Sequence, residues 1–84
     1  MDFSQALQAV KKGMNIAREG WNGKNMWVGM ALPGRESLTT HPFLYIEYPE
    51  GHHAYPNGCR VPWLASQTDM LAEDWMIVGG SSKA

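Results

Sequence analysis

Two short stretches hold most of the residues with chemical potential. The longer, Val61-Pro62-Trp63-Leu64-Ala65-Ser66-Gln67-Thr68-Asp69, sets an indole just ahead of hydroxyls, an amide and a carboxylate. The shorter, Trp21-Asn22-Gly23-Lys24, sets an indole, an amide and an ammonium around an Asn-Gly pair, the strongest short turn signal in the chain. Indole faces stack on nucleobases with little regard to which base it is. Asn22, Ser66, Gln67, Thr68 and Asp69 can bond base edges or ribose hydroxyls. A helix beginning near Ser66 would also offer unpaired N–H groups to an anion. This is the chemistry of holding a nucleotide-like molecule. The same residues have a plainer reading, a core tryptophan beside a capped helix, and composition alone favours it.

The remaining clusters are weaker. Asp69 and Glu73, four residues apart, would share a helical face with Asp74 close by, so Asp69 or Glu73 as general base is the enzyme reading. Helix capping and surface charge are the simpler account. His41, His52, His53 and Cys59 form the one metal-type set. The adjacent His52 and His53 would face opposite ways on a strand, lie among turn residues, and match no zinc spacing. Loop histidines and no native metal are expected. No Ser-His-Asp or Cys-His arrangement can be read from spacing, and neither glycine-rich nucleotide motif is present. No cofactor is implied.

Something must position these residues, and local patterning names the elements. Phe3, Ala6, Leu7 and Val10 recur at helical spacing, so residues 2–12 read as a helix. Asp2 caps its start, and Lys11, Lys12 and Gly13 supply its last turn and a left-handed stop. Met14 to Arg18 alternates weakly and reads as a first strand, Met26 to Leu32 as a second, and residues 33–42 as a loop. Phe43 to Tyr48 is the clearest strand, by its aromatic and β-branched content. Residues 49–58, rich in Pro and Gly, form a connection to a short strand at Cys59 to Val61, ended by Pro62. Ser66 with Asp69 three residues on resembles a capping box, which predicts a short helix over about 67–73. Trp75 to Val78 would be the last strand. The order argues an α+β domain: an N-terminal helix, an antiparallel sheet, and a short helix before the final strand. Residues 1–78 are expected to form one ligand-binding domain and 79–84 a flexible tail.

Composition bounds the function. The chain has 84 residues, enough for one domain. Its single cysteine excludes an internal disulfide and suits a reducing cytoplasm. Four tryptophans, three tyrosines and two phenylalanines are rich for this length, and such rings favour interfaces and ligand pockets. Seven basic and eight acidic side chains give a formal net charge of −1 with no basic stripe, which argues against DNA or RNA binding. No apolar run approaches the roughly 20 residues needed to span a bilayer, and the charged amphipathic N-terminus is not read as a signal peptide. A soluble cytoplasmic protein is expected.

Three stretches resemble a known family: Phe3 to Gly13, Ala17 to Lys24, and above all Val61 to Trp75. The family is the second type of Thoeris anti-defence protein, small proteins largely carried by phages. The resemblance implies a non-catalytic sponge, a homo-oligomer of four subunits with ligand pockets where subunits meet. Such a sponge sequesters the cyclic ADP-ribose signal of bacterial TIR-domain proteins, in the infected host's cytoplasm, and cyclic dinucleotides are a possible second ligand class. On this reading Trp21 and Trp63 are stacking platforms and Phe3 a third. Asn22, Ser66, Gln67, Thr68 and Asp69 are polar readers, and Lys24 or Arg18 meets a phosphate. The rival expectations are a nucleotide-modifying enzyme and an interaction protein whose tryptophans are purely core.

Overall fold

Asp2 starts the first helix by a reciprocal pair of bonds. Its carboxylate accepts from the Gln5 backbone N–H at 2.9 Å, while the Gln5 side chain accepts from the Asp2 N–H at 3.0 Å. Two donors that the helix itself leaves unpaired are thus satisfied. Helix α1 (Phe3–Lys11) buries Ala6, Ala9 and Val10 on one side. Gly13, at φ 96°, then turns the chain in the left-handed region that a side chain disfavours. The computed structural model describes residues 1–21, 25–34 and 38–80.

The strands that follow are β1 (Met14–Arg18), β2 (Trp27–Ala31), β3 (Phe43–Glu50) and β4 (Asn57–Pro62). Helix α2 (Gln67–Leu71) precedes β5 (Trp75–Gly80). They form one five-stranded sheet in the order β4-β3-β2-β1-β5, with every pairing antiparallel. Strands β1 to β4 meander outward, and the chain then returns past α2 to place β5 beside β1. Met1 joins this edge, since its ammonium donates to the Trp75 carbonyl at 2.9 Å and its carbonyl accepts from the Trp75 N–H. The fold is α+β, as the order of elements predicts.

Alternation decides what each face of the sheet carries. Ile16, Val28 and Ile46 lie opposite one another across β1, β2 and β3 and meet Ala6, Ala9 and Val10 of α1. Each buried isoleucine or valine of this set contributes about 1.5–3 kcal/mol, and each alanine less. Trp75, only 2% exposed, closes this core at the β5 edge. The alternate residues Ala17, Trp27, Tyr45 and Met76 point to the other face. Among the described residues no helix covers it. A register shift near Asn15 leaves Val78 of β5 as the extra residue of a bulge.

Several boundaries differ from the sequence reading. Strand β3 runs on to Glu50 and β4 starts at Asn57, because each supplies the other's ladder partners, Glu50 opposite Asn57. Pro62 is the last residue of β4 rather than its stop, which an edge strand tolerates. Helix α2 ends at Leu71, with Ala72 already extended, so Glu73 is not helical and shares no helical face with Asp69. Gly79 and Gly80, placed in the tail by sequence, belong to β5, whose bounds reach Gly80 through pairing with Met14.

Candidate functional site

Three chain segments deliver aromatic rings to one place. Phe3 comes from the first turn of α1, Trp21 from just beyond β1, and Trp63 from just beyond β4. The backbone of Trp63 is fixed by its N–H donating to the Leu44 carbonyl at 3.0 Å. Trp75 of β5 lies at the centre. Its ring centroid stands 5.5 Å from Phe3, 5.5 Å from Trp21 and 6.0 Å from Trp63. Phe3 and Trp63 are 6.3 Å apart, and Trp21 and Trp63 are 6.4 Å apart. The contacts to Trp21 are edge-on, the geometry that the ring quadrupole favours. Trp75 is buried, whereas Phe3, Trp21 and Trp63 are half-buried. The cluster is therefore core at its centre and surface at its rim.

An ion-pair network runs along one side of these rings. Arg18, at the end of β1, donates from Nε to Asp74 Oδ1 at 2.8 Å and from Nη1 to Asp69 Oδ1 at 2.9 Å. The Trp21 indole donates to the same Asp69 Oδ1 at 3.3 Å, and the Trp75 indole donates to the Asp69 carbonyl at 2.9 Å. Asp69 Oδ2 accepts from the Ser66 N–H at 3.2 Å, while the Ser66 hydroxyl accepts from the Asp69 N–H at 3.1 Å. These last two bonds are the capping box that the Ser66–Asp69 spacing predicts. On the far side, Asp74 Oδ2 accepts from the Gly20 N–H at 2.8 Å. A side chain at position 20 would put its Cβ 2.9 Å from that oxygen, so glycine is what allows the approach.

The electrostatics follow from this geometry. Burial pushes the Asp69 carboxyl upward, but bonds from Arg18, from the side chain and backbone of Ser66, and from Trp21 outweigh it and hold it below the usual range. The bond from Arg18 likewise holds Asp74 low, helped by the Gly20 N–H. The two carboxylates raise Arg18 above its ordinary value, Asp74 most strongly. All three groups are thus charged at neutral pH.

The residues named from sequence divide into three groups. Phe3, Trp21, Trp63 and Asp69 are brought together. Ser66, Gln67 and Thr68 are exposed at the start of α2, with the Ser66 and Thr68 hydroxyls hydrogen-bonded to each other at 2.9 Å. Asn22 and Lys24 lie outside the described residues. Trp21 also borders a groove of about 650 Å³, within the roughly 300–1,000 Å³ range of small-molecule pockets. Arg18, Trp27, Pro49, Met76 and Val78 line it as well. Sequence reasoning placed Trp27 and Trp75 in strands, with Trp75 closing the family-like stretch Val61 to Trp75, and named neither for the site. It also missed the bonding of Arg18 to Asp69 and Asp74.

The histidines sit elsewhere. His52 and His53 lie between β3 and β4 rather than on a strand, with their rings stacked 4.5 Å apart, and Tyr55 stacks on His52 at 5.7 Å. His52 Nδ1 accepts from the Ala54 N–H at 3.1 Å. Among the described residues, no three His, Cys, Asp or Glu side chains are grouped to hold a metal ion. No described helix is long and apolar enough to cross a membrane.

Comparison with known proteins gives matches that span these segments. The model of the Thoeris anti-defense 2-like domain matches residues 1–78. A Bacillus phage SP01 protein named Thoeris anti-defense 2 is 38% identical over 87 aligned residues, covering 93% of this chain and 94% of that protein. With the match running through α1, the aromatic cluster and the Arg18–Asp69–Asp74 network alike, this chain belongs to the Thoeris anti-defense 2 family.

Proposed function

We propose that the protein counters Thoeris defence by binding a cyclic nucleotide signal of the glycocyclic ADP-ribose class without turning it over. Cyclic dinucleotides are a second ligand class on this reading. The anti-defence role rests on the family. The ligand class rests on one observation above others: Phe3, Trp21 and Trp63, from three separate segments, converge with their rings half-buried. Their half-burial leaves ring surface that the buried Trp75 does not offer. Indoles with part of their surface open offer stacking area for a base, and Asn22, Ser66, Gln67 and Thr68 offer bonds for ribose and base edges. Lys24 supplies the charge for a phosphate, since two nitrogens of Arg18 are already engaged with carboxylates.

The working form is a homo-oligomer, a tetramer, in the cytoplasm of the infected cell. Its support is the sheet face that no described helix covers, where Met76 and Val78 remain 40% and 45% exposed and share a groove with Trp27. Aromatic and methionine side chains of this kind are enriched at subunit interfaces. Light scattering should then give about four times the 9.4 kDa chain mass.

Two measurements test the reading. Overnight incubation with glycocyclic ADP-ribose, followed by heat denaturation, should return the ligand intact, whereas a nucleotide-modifying enzyme would return product. Calorimetric titration should show Trp63→Ala and Trp21→Ala each weakening binding by roughly 5- to 150-fold, the worth of about 1–3 kcal/mol of stacking. Both variants must first show native melting and native mass. Wild-type affinity in a folded Trp63→Ala protein would remove the stacking platform and leave the interaction-protein reading in its place.

A further inference from the structure

We propose that Asp69 and Arg18 are positioning residues, which act on the ligand site by fixing the plane of the Trp21 ring and not by touching ligand. The inference rests on Trp21 being a stacking platform, and it changes the role that sequence alone suggests for both side chains. A carboxylate offers about four acceptor sites. Three at Asp69 are already filled from within the chain: Oδ1 takes Arg18 Nη1 and the Trp21 indole, and Oδ2 takes the Ser66 N–H. With its side chain only 13% exposed, Asp69 has little left to offer a ribose or a base.

Arg18 is what gives this carboxylate a fixed place. Its planar fork spans two acceptors at set angles, which the point charge of a lysine cannot do. One arm holds Asp69 of α2, and the other holds Asp74 in the connection to β5. The segment leading to Trp21 is tied to the same connection. The Glu19 N–H donates to the Asp74 carbonyl at 3.1 Å, the Gly20 N–H donates to Asp74 Oδ2, and the Trp21 N–H returns to the Arg18 carbonyl at 3.2 Å. The backbone of Trp21 and the tip of its indole are therefore anchored to one network. Both χ angles of the ring are set before a ligand arrives, and a preorganised platform loses less entropy on binding.

A double-mutant cycle tests this, with glycocyclic ADP-ribose as the probe. Arg18→Gln removes the fork. Trp21→Phe keeps a ring for stacking but has no N–H for Asp69. Arg18→Gln should weaken binding about fivefold or more in the wild-type background and by less than about twofold in the Trp21→Phe background. In ligand-free protein, it should also move or broaden the Trp21 indole N–H resonance, identified by its loss in Trp21→Phe. Equal losses in both backgrounds would mean that Arg18 or its carboxylates touch the ligand directly, and would overturn the proposal. So would an unmoved Trp21 resonance, a result independent of whether the probe binds at all. Failure of wild-type protein to bind, with the resonance moved as expected, would overturn the ligand reading and leave the positioning intact. Should Arg18→Gln fail to fold, Asp74→Asn is read in its place. It removes the charge from one arm at a residue whose side chain is 31% exposed, and the same cycle and resonance apply.

Discussion

Arg18 on β1 and Arg60 on β4 each meet a carboxylate and aromatic rings, but in different settings. Arg60 pairs with Glu47 and lies over Tyr45 and Trp27, at 5.0 and 5.6 Å from the ring centroids. Its side chain is 62% exposed, and Arg60 and Glu47 are already opposite each other in the β3–β4 ladder. The pair thus decorates a contact that backbone hydrogen bonds have made. The Arg18 side chain is 21% exposed, and its partners lie 51 and 56 residues away. It joins β1, α2 and the approach to β5, and Asp69 passes the connection on to two indoles. Similar ingredients yield a surface ornament in one case and a structural joint in the other. The difference lies in burial and in how many otherwise separate segments the charges connect.

The largest effect expected from this contrast is at Asp69. Asp69→Ala removes a charge-assisted bond from Arg18, the acceptor for the Trp21 indole and half of a capping box. It should cost about 2–3 kcal/mol in urea unfolding. A loss below about 1 kcal/mol would place this network beside the surface pair and erase the distinction.

Acid should sharpen it next. Asp69 and Asp74 are held below the unfolded aspartate value of about 3.9. Depressed carboxylates bind fewer protons in the folded state, so their contribution is fully present above that value and is lost as pH falls through the folded ones. Wild type should therefore melt well above Arg18→Met at pH 7, and the gap should close below about pH 4. Calorimetric scans across the range from pH 7 to pH 3 would check this. A gap that persists unchanged into acid would mean that the arginine contributes by packing its stem, not by charge.

The smallest effect belongs to the exposed pair. Glu47→Gln should shift stability by no more than about 1 kcal/mol, and salt should reduce even that. A larger loss would show that the cation–π contacts to Trp27 and Tyr45 depend on Glu47 to hold Arg60 in place.

The sequence by itself determined the features whose causes lie within a few residues. Asp2 with Gln5 and Ser66 with Asp69 announced two helix starts, and both boxes are formed. Gly13 announced the end of α1, and the apolar spacing of Ala6 and Val10 named its buried face. The aromatic segments carrying Phe3, Trp21 and Trp63 were legible as a candidate site because aromatic and polar residues concentrate there, and their rings do come together. Other features needed the tertiary structure. Glu50 and Asn57 are in strands because they face each other, not because either favours extension. Helix α2 stops at Leu71 so that the chain can turn into β5, which no propensity near Glu73 foretells. Trp75 is the centre of the cluster, and Arg18 is a tie and not a free cation, only because β5 returns beside β1. A capping bond spans three or four residues and can be read locally. A salt bridge across more than fifty residues depends on strand order, which is set by the burial of the whole sheet face.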